Sequence, residues 1–243
     1  MTLKKIAFLT PRPGLSQAAF EEYWRDSHGP LVSRSPGYAT YRRRYVQNQV
    51  LDNGLIGRRL SFAGVAEFWL PSDNEEDFSA TSIYRDRIRV DEERFIDFSA
   101  TVSLTASETI LLPGHGDCKL WLLSRRNPQW ETGAFAAFWT NTVAAQLLQD
   151  PRFGPLLRGW QLNLSEAGSS RLPGAVPAAD LGWDTLQILW FASREAMFQA
   201  LASGALQQTW QPLADHAAPI NEPVSFVTRE RVFFDQGQAV DPA

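Results

Sequence analysis

The chain has 243 residues, 44% of them hydrophobic, and a formal net charge of −4, so it can bury a core or two, and its acidic balance argues against nucleic acid or an anionic membrane surface as the main partner. A single cysteine, Cys118, excludes an intrachain disulfide and a zinc site built from several thiolates, which fits a reducing cytoplasm. No stretch approaches the ~18 apolar residues of a membrane span. The apolar run Ile6–Leu9 behind the basic start is too short for a signal peptide and is broken by Pro11 and Pro13, so a cytoplasmic location is expected.

Apolar periodicity predicts the elements in chain order. The first is a strand over 4–10, followed by a helix over 16–28, N-capped by Ser16 with Glu21 and Glu22 in its early turns and stopped by Gly29-Pro30. A short helical or irregular stretch over 30–35 leads to strands over 38–49 and 62–70, with the basic run Tyr41-Arg42-Arg43-Arg44-Tyr45 on the solvated side of the first. A helix over 73–83, continuing irregularly toward 96, precedes a strand over 100–112. The second half is predicted as a strand over 117–124, a helix over 132–149 N-capped by Thr132, and strands over 156–165 and 184–192. A helix over 193–204 and a strand over 223–234 complete it. The Gly-, Ser-, Pro- and Ala-rich segment from Ser165 to Asp180 carries no periodic signal and is predicted as a loop.

The halves repeat. Phe20-x-x-Tyr23-Trp24 returns as Phe135-x-x-Phe138-Trp139, and Ile6–Leu9 as Trp121–Ser124, both 115 residues on. Glu67–Ser72 is echoed by Ile188–Ser193, and Val102-Ser103-Leu104 by Val224-Ser225-Phe226, at offsets of 121 and 122, so the insertion falls in the Ser165–Asp180 loop. The order β-α-β-β-α-β, twice, predicts an α+β protein of two tandem ferredoxin-like repeats, 1–113 and 114–243, packed sheet against sheet.

Little in the sequence carries chemistry. The three histidines, His28, His115 and His216, lack metal-ligand spacing, Gly114-His115-Gly116 lacks the lysine of a phosphate loop, and no GxSxG elbow occurs. The segment Tyr23-Trp24-Arg25-Asp26-Ser27-His28-Gly29-Pro30 stands out. At 100° per residue Phe20, Trp24 and His28 share one helix face, which puts the imidazole at the edge of the buried stripe, within reach of a cavity between helix and sheet. The plain alternative is that His28 caps the helix and Asp26 is a solvated acid. In the second half Asn141, Val143 and Ala144-Ala145 replace Asp26, His28 and Gly29-Pro30, so that helix can run on to Gln149 over a chemically silent site.

The pattern Phe8-Leu9-Thr10-Pro11-Arg12-Pro13-Gly14-Leu15-Ser16, then Phe20-x-x-Tyr23-Trp24-Arg25-Asp26-Ser27-His28-Gly29-Pro30-Leu31, then Pro36-Gly37-Tyr38-x-x-Tyr41, resembles the EthD family. Asp91-Glu92-x-x-Phe95 matches the family's later acidic pair and phenylalanine. The resemblance covers about residues 4–112. It implies a dimeric α+β barrel, here intrachain, and activities on small ethers or aromatic polyketides without a cofactor. It also implies His28 as an acid/base, with Asp26 or a tyrosine orienting it. Phe8, Tyr23, Trp24, Tyr41, Tyr45, Trp69 and Phe95 are the aromatic candidates for the pocket, with Tyr41 and Tyr45 the better polar contacts, although core packing is the favoured reading of any one of them. The function expected is a cofactor-independent lyase, isomerase, cyclase or decarboxylase acting on a small apolar or aromatic molecule. The alternatives are a non-catalytic binding or accessory protein and, third, a haem-binding protein using one histidine. No metal is expected, and pairing with a second copy of the chain stays open.

Overall fold

A computed structural model describes residues 2–57, 60–71, 77–127, 129–166, 172–181, 183–210 and 224–241. The strands are β1 (Thr2–Leu9), β2 (Arg44–Gly57), β3 (Gly64–Trp69), β4 (Val102–Leu112), β5 (Cys118–Ser124), β6 (Leu157–Ser165), β7 (Val176–Pro177), β8 (Thr185–Phe191), β9 (Val224–Asp235) and β10 (Gln238–Ala239). They form one ten-stranded sheet in the order β1-β3-β2-β9-β5-β8-β6-β4, with β4 pairing back onto β1. Ile6 therefore lies between Glu67 on one side and Leu104 on the other. The halves are joined by two antiparallel seams, with Val46 opposite Val232 and Glu108 opposite Asn163.

This corrects the expected α+β fold of two ferredoxin-like repeats forming an intrachain dimeric α+β barrel. Eight strands close into a single antiparallel barrel, whose backbone pairing crosses both seams with register shifts at bulges in β2 and β4. The physical reason lies at the strand edges: two separate four-stranded sheets would leave β2, β4, β6 and β9 with unpaired backbone groups, and closure pairs them all.

Strand alternation sorts side chains into three apolar clusters. Ile6, Phe8, Val65, Leu104, Trp121, Ile188 and Phe226 fill the lumen. Outside it, Phe20, Trp24, Tyr45, Phe95 and Phe233 form the core of one flank, and Phe135, Trp139, Leu162, Met197 and Val227 that of the other. Toward one end the lumen is charged. Lys4 Nζ lies 2.8 Å from Glu67 Oε1 and 3.1 Å from Glu108. Lys119 bonds Glu67 and lies 3.2 Å from Glu230. Asn48 donates to Glu67 at 2.9 Å and accepts from Lys119 at 2.8 Å. Burial alone would raise the Glu67 carboxyl, but the two ammonium groups hold it down at about 2.

The first helical segment departs from expectation. Ser16 caps α1 (Gln17–Tyr23) by accepting from the Ala19 N–H at 3.2 Å. Gly29-Pro30 does not end it, because a π-helical turn, Trp24–His28, passes directly into α2 (Gly29–Ser33). Gly29 is right-handed, at φ −56°, and its N–H reaches back five residues to Trp24 O. Pro30 then falls in the first turn of α2, where its missing N–H costs nothing. Glycine is needed at 29 for proximity, since a Cβ there would stand 2.3 Å from the Phe233 ring.

The predicted 38–49 strand begins instead as a helical turn, α3 (Tyr38–Tyr41), entered through Gly37 at φ +74°. That turn takes Arg42 out of the expected solvated face: it is 7% exposed, Arg44 is half-buried, and Arg43 is exposed. Of the predicted 73–83 helix, residues 72–76 lie outside the described residues. A 3-10 turn over Phe78–Ala80 and a π-helical turn over Tyr84–Ile88 lead into α4 (Arg89–Glu92). In the second half α5 (Thr132–Phe138), a π-helical turn over Trp139–Ala144 and α6 (Ala145–Gln149) span the predicted 132–149. The N-cap there is Glu131, with Thr132 already helical. Helices α7 (Arg194–Ala202) and α8 (Ala205–Trp210) follow β8. No described helix is long and apolar enough to cross a membrane.

Candidate active site

The π-helical turn at 24–28 sets His28 on the inner face of its helix, where it is 4% exposed and packs its ring 5.0 Å from that of Phe95. The partner of the imidazole comes from α4. His28 Nδ1 lies 2.8 Å from Asp91 Oδ2, and the Tyr23 hydroxyl donates to Asp91 Oδ1 at 2.5 Å. Burial would raise the Asp91 carboxyl, yet the hydrogen bonds from His28 and Tyr23, with the charges of His28 and Arg94, bring it below the usual range. The next residue behaves oppositely. Glu92 is fully buried, which raises its carboxyl despite the nearby His28 and the hydroxyl of Tyr84, which donates to Oε2 at 2.8 Å.

His28, Glu92 and Tyr84 face a cleft between the helices and the barrel wall, with Asp91 and Tyr23 behind the imidazole. Its polar lining is His28, Glu92, Tyr38, Tyr84, Arg42, Lys5, Asp77, Ser79 and Ser103, and its apolar lining includes Val32, Phe68, Phe78, Ile88 and Leu172. The cleft holds a cavity of about 50 Å³, where one water needs roughly 10–15 Å³. Among the described residues His28 Nε2 makes no hydrogen bond. An Nδ1–H donating to an ionised Asp91 leaves Nε2 as the atom able to take up or deliver a proton.

The structure gathers some of the sequence candidates here and scatters others. Tyr23 and Phe95 touch His28 or its partner, as above. Trp24 is buried beside Phe20 and approaches Gly64 so closely that a Cβ there would be 2.3 Å from its ring. Tyr45 stacks on Phe68 at 4.7 Å with its hydroxyl taken by Gln47, and Tyr41 packs on Phe78. Phe8 belongs to the lumen, 5.2 Å from Phe62. Trp69 sits at the charged end of the barrel, donating to Glu108 at 3.2 Å. Asp26 is exposed and pairs with Arg25 on the outer face. The carboxylate that meets His28 is Asp91.

Asp91, Glu92 and Tyr84 were not among the sequence candidates as site residues, nor were Tyr38 and Arg42. One signal pointed to the first three: Tyr84, Ile88, Asp91-Glu92 and Phe95 recur every three or four residues, an acidic pair within an otherwise apolar helical stripe. Val143, aligned with His28 in the second half, is 1% exposed within an apolar cluster.

The residues at His28 do not fit a haem. A cavity of about 50 Å³ is far too small for a porphyrin. His115 borders an open hollow walled by Gly116, Asp117, Arg229 and Glu230, with no apolar wall for a macrocycle. His216 lies outside the described residues. No group of three or more metal-ligating side chains occurs among the described residues.

Residues 12–99 match the family model described as the EthD domain. No curated protein matches the chain in sequence. Among solved structures it is similar to a provisionally named monooxygenase of Lactobacillus acidophilus NCFM, with TM-score 0.57 and 9% identity over 98% of both chains. It is also similar to one of the same description from Fusobacterium nucleatum subsp. nucleatum ATCC 25586, with TM-score 0.56 and 6% identity over 100% of this chain and 97% of that one. Chlorite dismutase from Candidatus Nitrospira defluvii, in complex with imidazole, is similar with TM-score 0.51 and 9% identity over 93% and 90%. At these identities the likeness is one of fold.

Proposed function

Taking as premise that this chain carries an EthD domain over residues 12–99, we propose that it is a cofactor-independent acid/base enzyme of the lyase or isomerase type. Its substrate is a small apolar or aromatic molecule bound in the His28 cleft. The observation that carries this reading is the His28–Asp91 hydrogen bond at the wall of that cleft, with Glu92 beside it. Asp91, held ionised, fixes the imidazole through Nδ1 and stabilises the charge that builds on the ring as Nε2 takes a substrate proton. Glu92, whose carboxyl burial raises, stands beside it as the group that returns a proton at a second atom. Two carboxyls pushed apart in this way divide acid from base. Positioned proton transfer of this kind contributes roughly 10²–10⁴-fold.

The test reads proton transfer directly. Aromatic and alicyclic ketones are incubated with the full chain in deuterium oxide, and loss of the proton next to the carbonyl is followed by NMR. Exchange above background that disappears in His28→Gln, with an unchanged melting temperature, supports the proposal. Exchange that persists in the variant sinks it. A ligand held without any exchange would favour a binding or accessory role.

A further inference from the structure

Two donors in the same cleft have no acceptor. Tyr38 is 2% exposed and lines the cavity, and its hydroxyl makes no hydrogen bond among the described residues. The Nε of Arg42, four residues on and 7% exposed, lines the same cavity and is likewise unbonded. Both come from α3 and its C-cap, where the Arg42 N–H bonds Tyr38 O, so the side chains leave the turn on one face. Neither donor can swing out to water cheaply. The Tyr38 ring is wedged edge-on between Phe78 at 5.2 Å and Phe234 at 4.9 Å. The guanidinium lies 5.6 Å from the Phe68 ring centre and 5.7 Å from that of Phe78. Its Nη1 donates to Tyr41 O at 2.7 Å, and its Nη2 stands 3.6 Å from Asp77.

Buried donors are nearly always satisfied, and one left open is costly. Two such donors from one turn, on residues that line the same cavity, mark a place for an oxygen acceptor, and a guanidinium favours one with negative charge. Val32, Phe78 and Ile88 supply apolar wall, and the other polar groups are already engaged: Asp77 pairs with Lys5, Glu92 with Tyr84 and His28 with Asp91. We infer that the ligand of this cleft is a small aromatic or apolar molecule with an anionic oxygen, a carboxylate or a phenolate, received by the Tyr38 hydroxyl and Arg42 Nε. This rests on the reading of the cleft as a substrate site, but not on proton transfer there. Burial holds the Tyr38 phenol well above its ordinary pKa, so it stays a donor.

Isothermal titration of the full chain with benzoate, 4-nitrophenolate and benzyl alcohol tests it. At least one anion should bind ten times or more tighter than the alcohol, and which one does so tells carboxylate from phenolate. Tyr38→Phe, which keeps the wedged ring, should abolish that preference, leave benzyl alcohol unaffected, and not lower the melting temperature. Arg42→Met should act in the same direction. No binding of either anion, equal binding of anion and alcohol, or a preference that survives Tyr38→Phe overturns the inference. The preference should persist in His28→Gln, so a failure of the proton-transfer reading would leave this result standing.

Discussion

Asp91 and Glu92 are neighbours in the chain whose carboxyls are driven apart: hydrogen bonds from His28 and Tyr23 outweigh burial at the first, and burial outweighs Tyr84 and His28 at the second. The pH dependence of folding follows from linkage. The Asp91 contribution is present above the unfolded value of 3.8 and is lost as pH falls through the lower folded value. For Glu92 the folded state holds the proton more tightly, so its contribution is complete below 4.5 and declines as pH rises toward the folded value. Melting temperatures across about pH 3 to 8 should show Asp91→Asn flattening the acid limb and Glu92→Gln flattening the decline above pH 4.5. Wild-type curvature in both variants would contradict the assignment.

The same site separates the two aspartates that could serve His28. Asp91→Asn removes the charge behind the imidazole and should reduce proton exchange by about 10²-fold or more. Asp26→Asn, on the solvent side of the helix, should change it by less than about twofold, as expected of an exposed pair. Exchange kinetics on the two purified variants decide between them.

Glu67 is the shared counterion of two buried ammonium groups, Lys4 and Lys119. Glu67→Ala removes the shared charge, leaving Lys4 with Glu108 and Lys119 with Glu230 as counterions, and should cost about 3–5 kcal/mol. Glu67→Gln, still able to bond Asn48, should cost less. Urea unfolding of the three proteins gives the ranking.

Gly29→Ala drives a methyl into the Phe233 ring. Overpacking of that kind costs about 1–3 kcal/mol. Phe233→Leu should relieve part of it, so a double-mutant cycle should return a favourable coupling. Additive effects would mean that the helix shifts away from β9 at no cost.

How far the sequence led is visible in particular residues. The positions of the eight barrel strands were legible from apolar or alternating runs bounded by turn residues, although β2 starts six residues later than expected, after α3, and runs on to Gly57. The 115-residue offset that links Phe20 to Phe135 also carries Lys4 to Lys119, the two cations that meet on Glu67. His28 was legible from its place on the edge of an aromatic stripe. Barrel closure was not, because the β2–β9 and β4–β6 seams are backbone hydrogen bonds, which leave no side-chain period. Nor was Asp91 as the partner of His28. The two are 63 residues apart, and only the packing of α4 against the first helix joins them. Gly29-Pro30 misled for a local reason: a π-helical turn lets the chain pass a pair that ordinarily ends a helix.

Closure also decides how this molecule can meet another. An open sheet offers its outermost strand to any chain that can extend beside it, and such growth has no natural stopping point. Here every barrel strand has a hydrogen-bonded neighbour on both sides, so a second copy would find side chains to dock against but no barrel-strand edge to join.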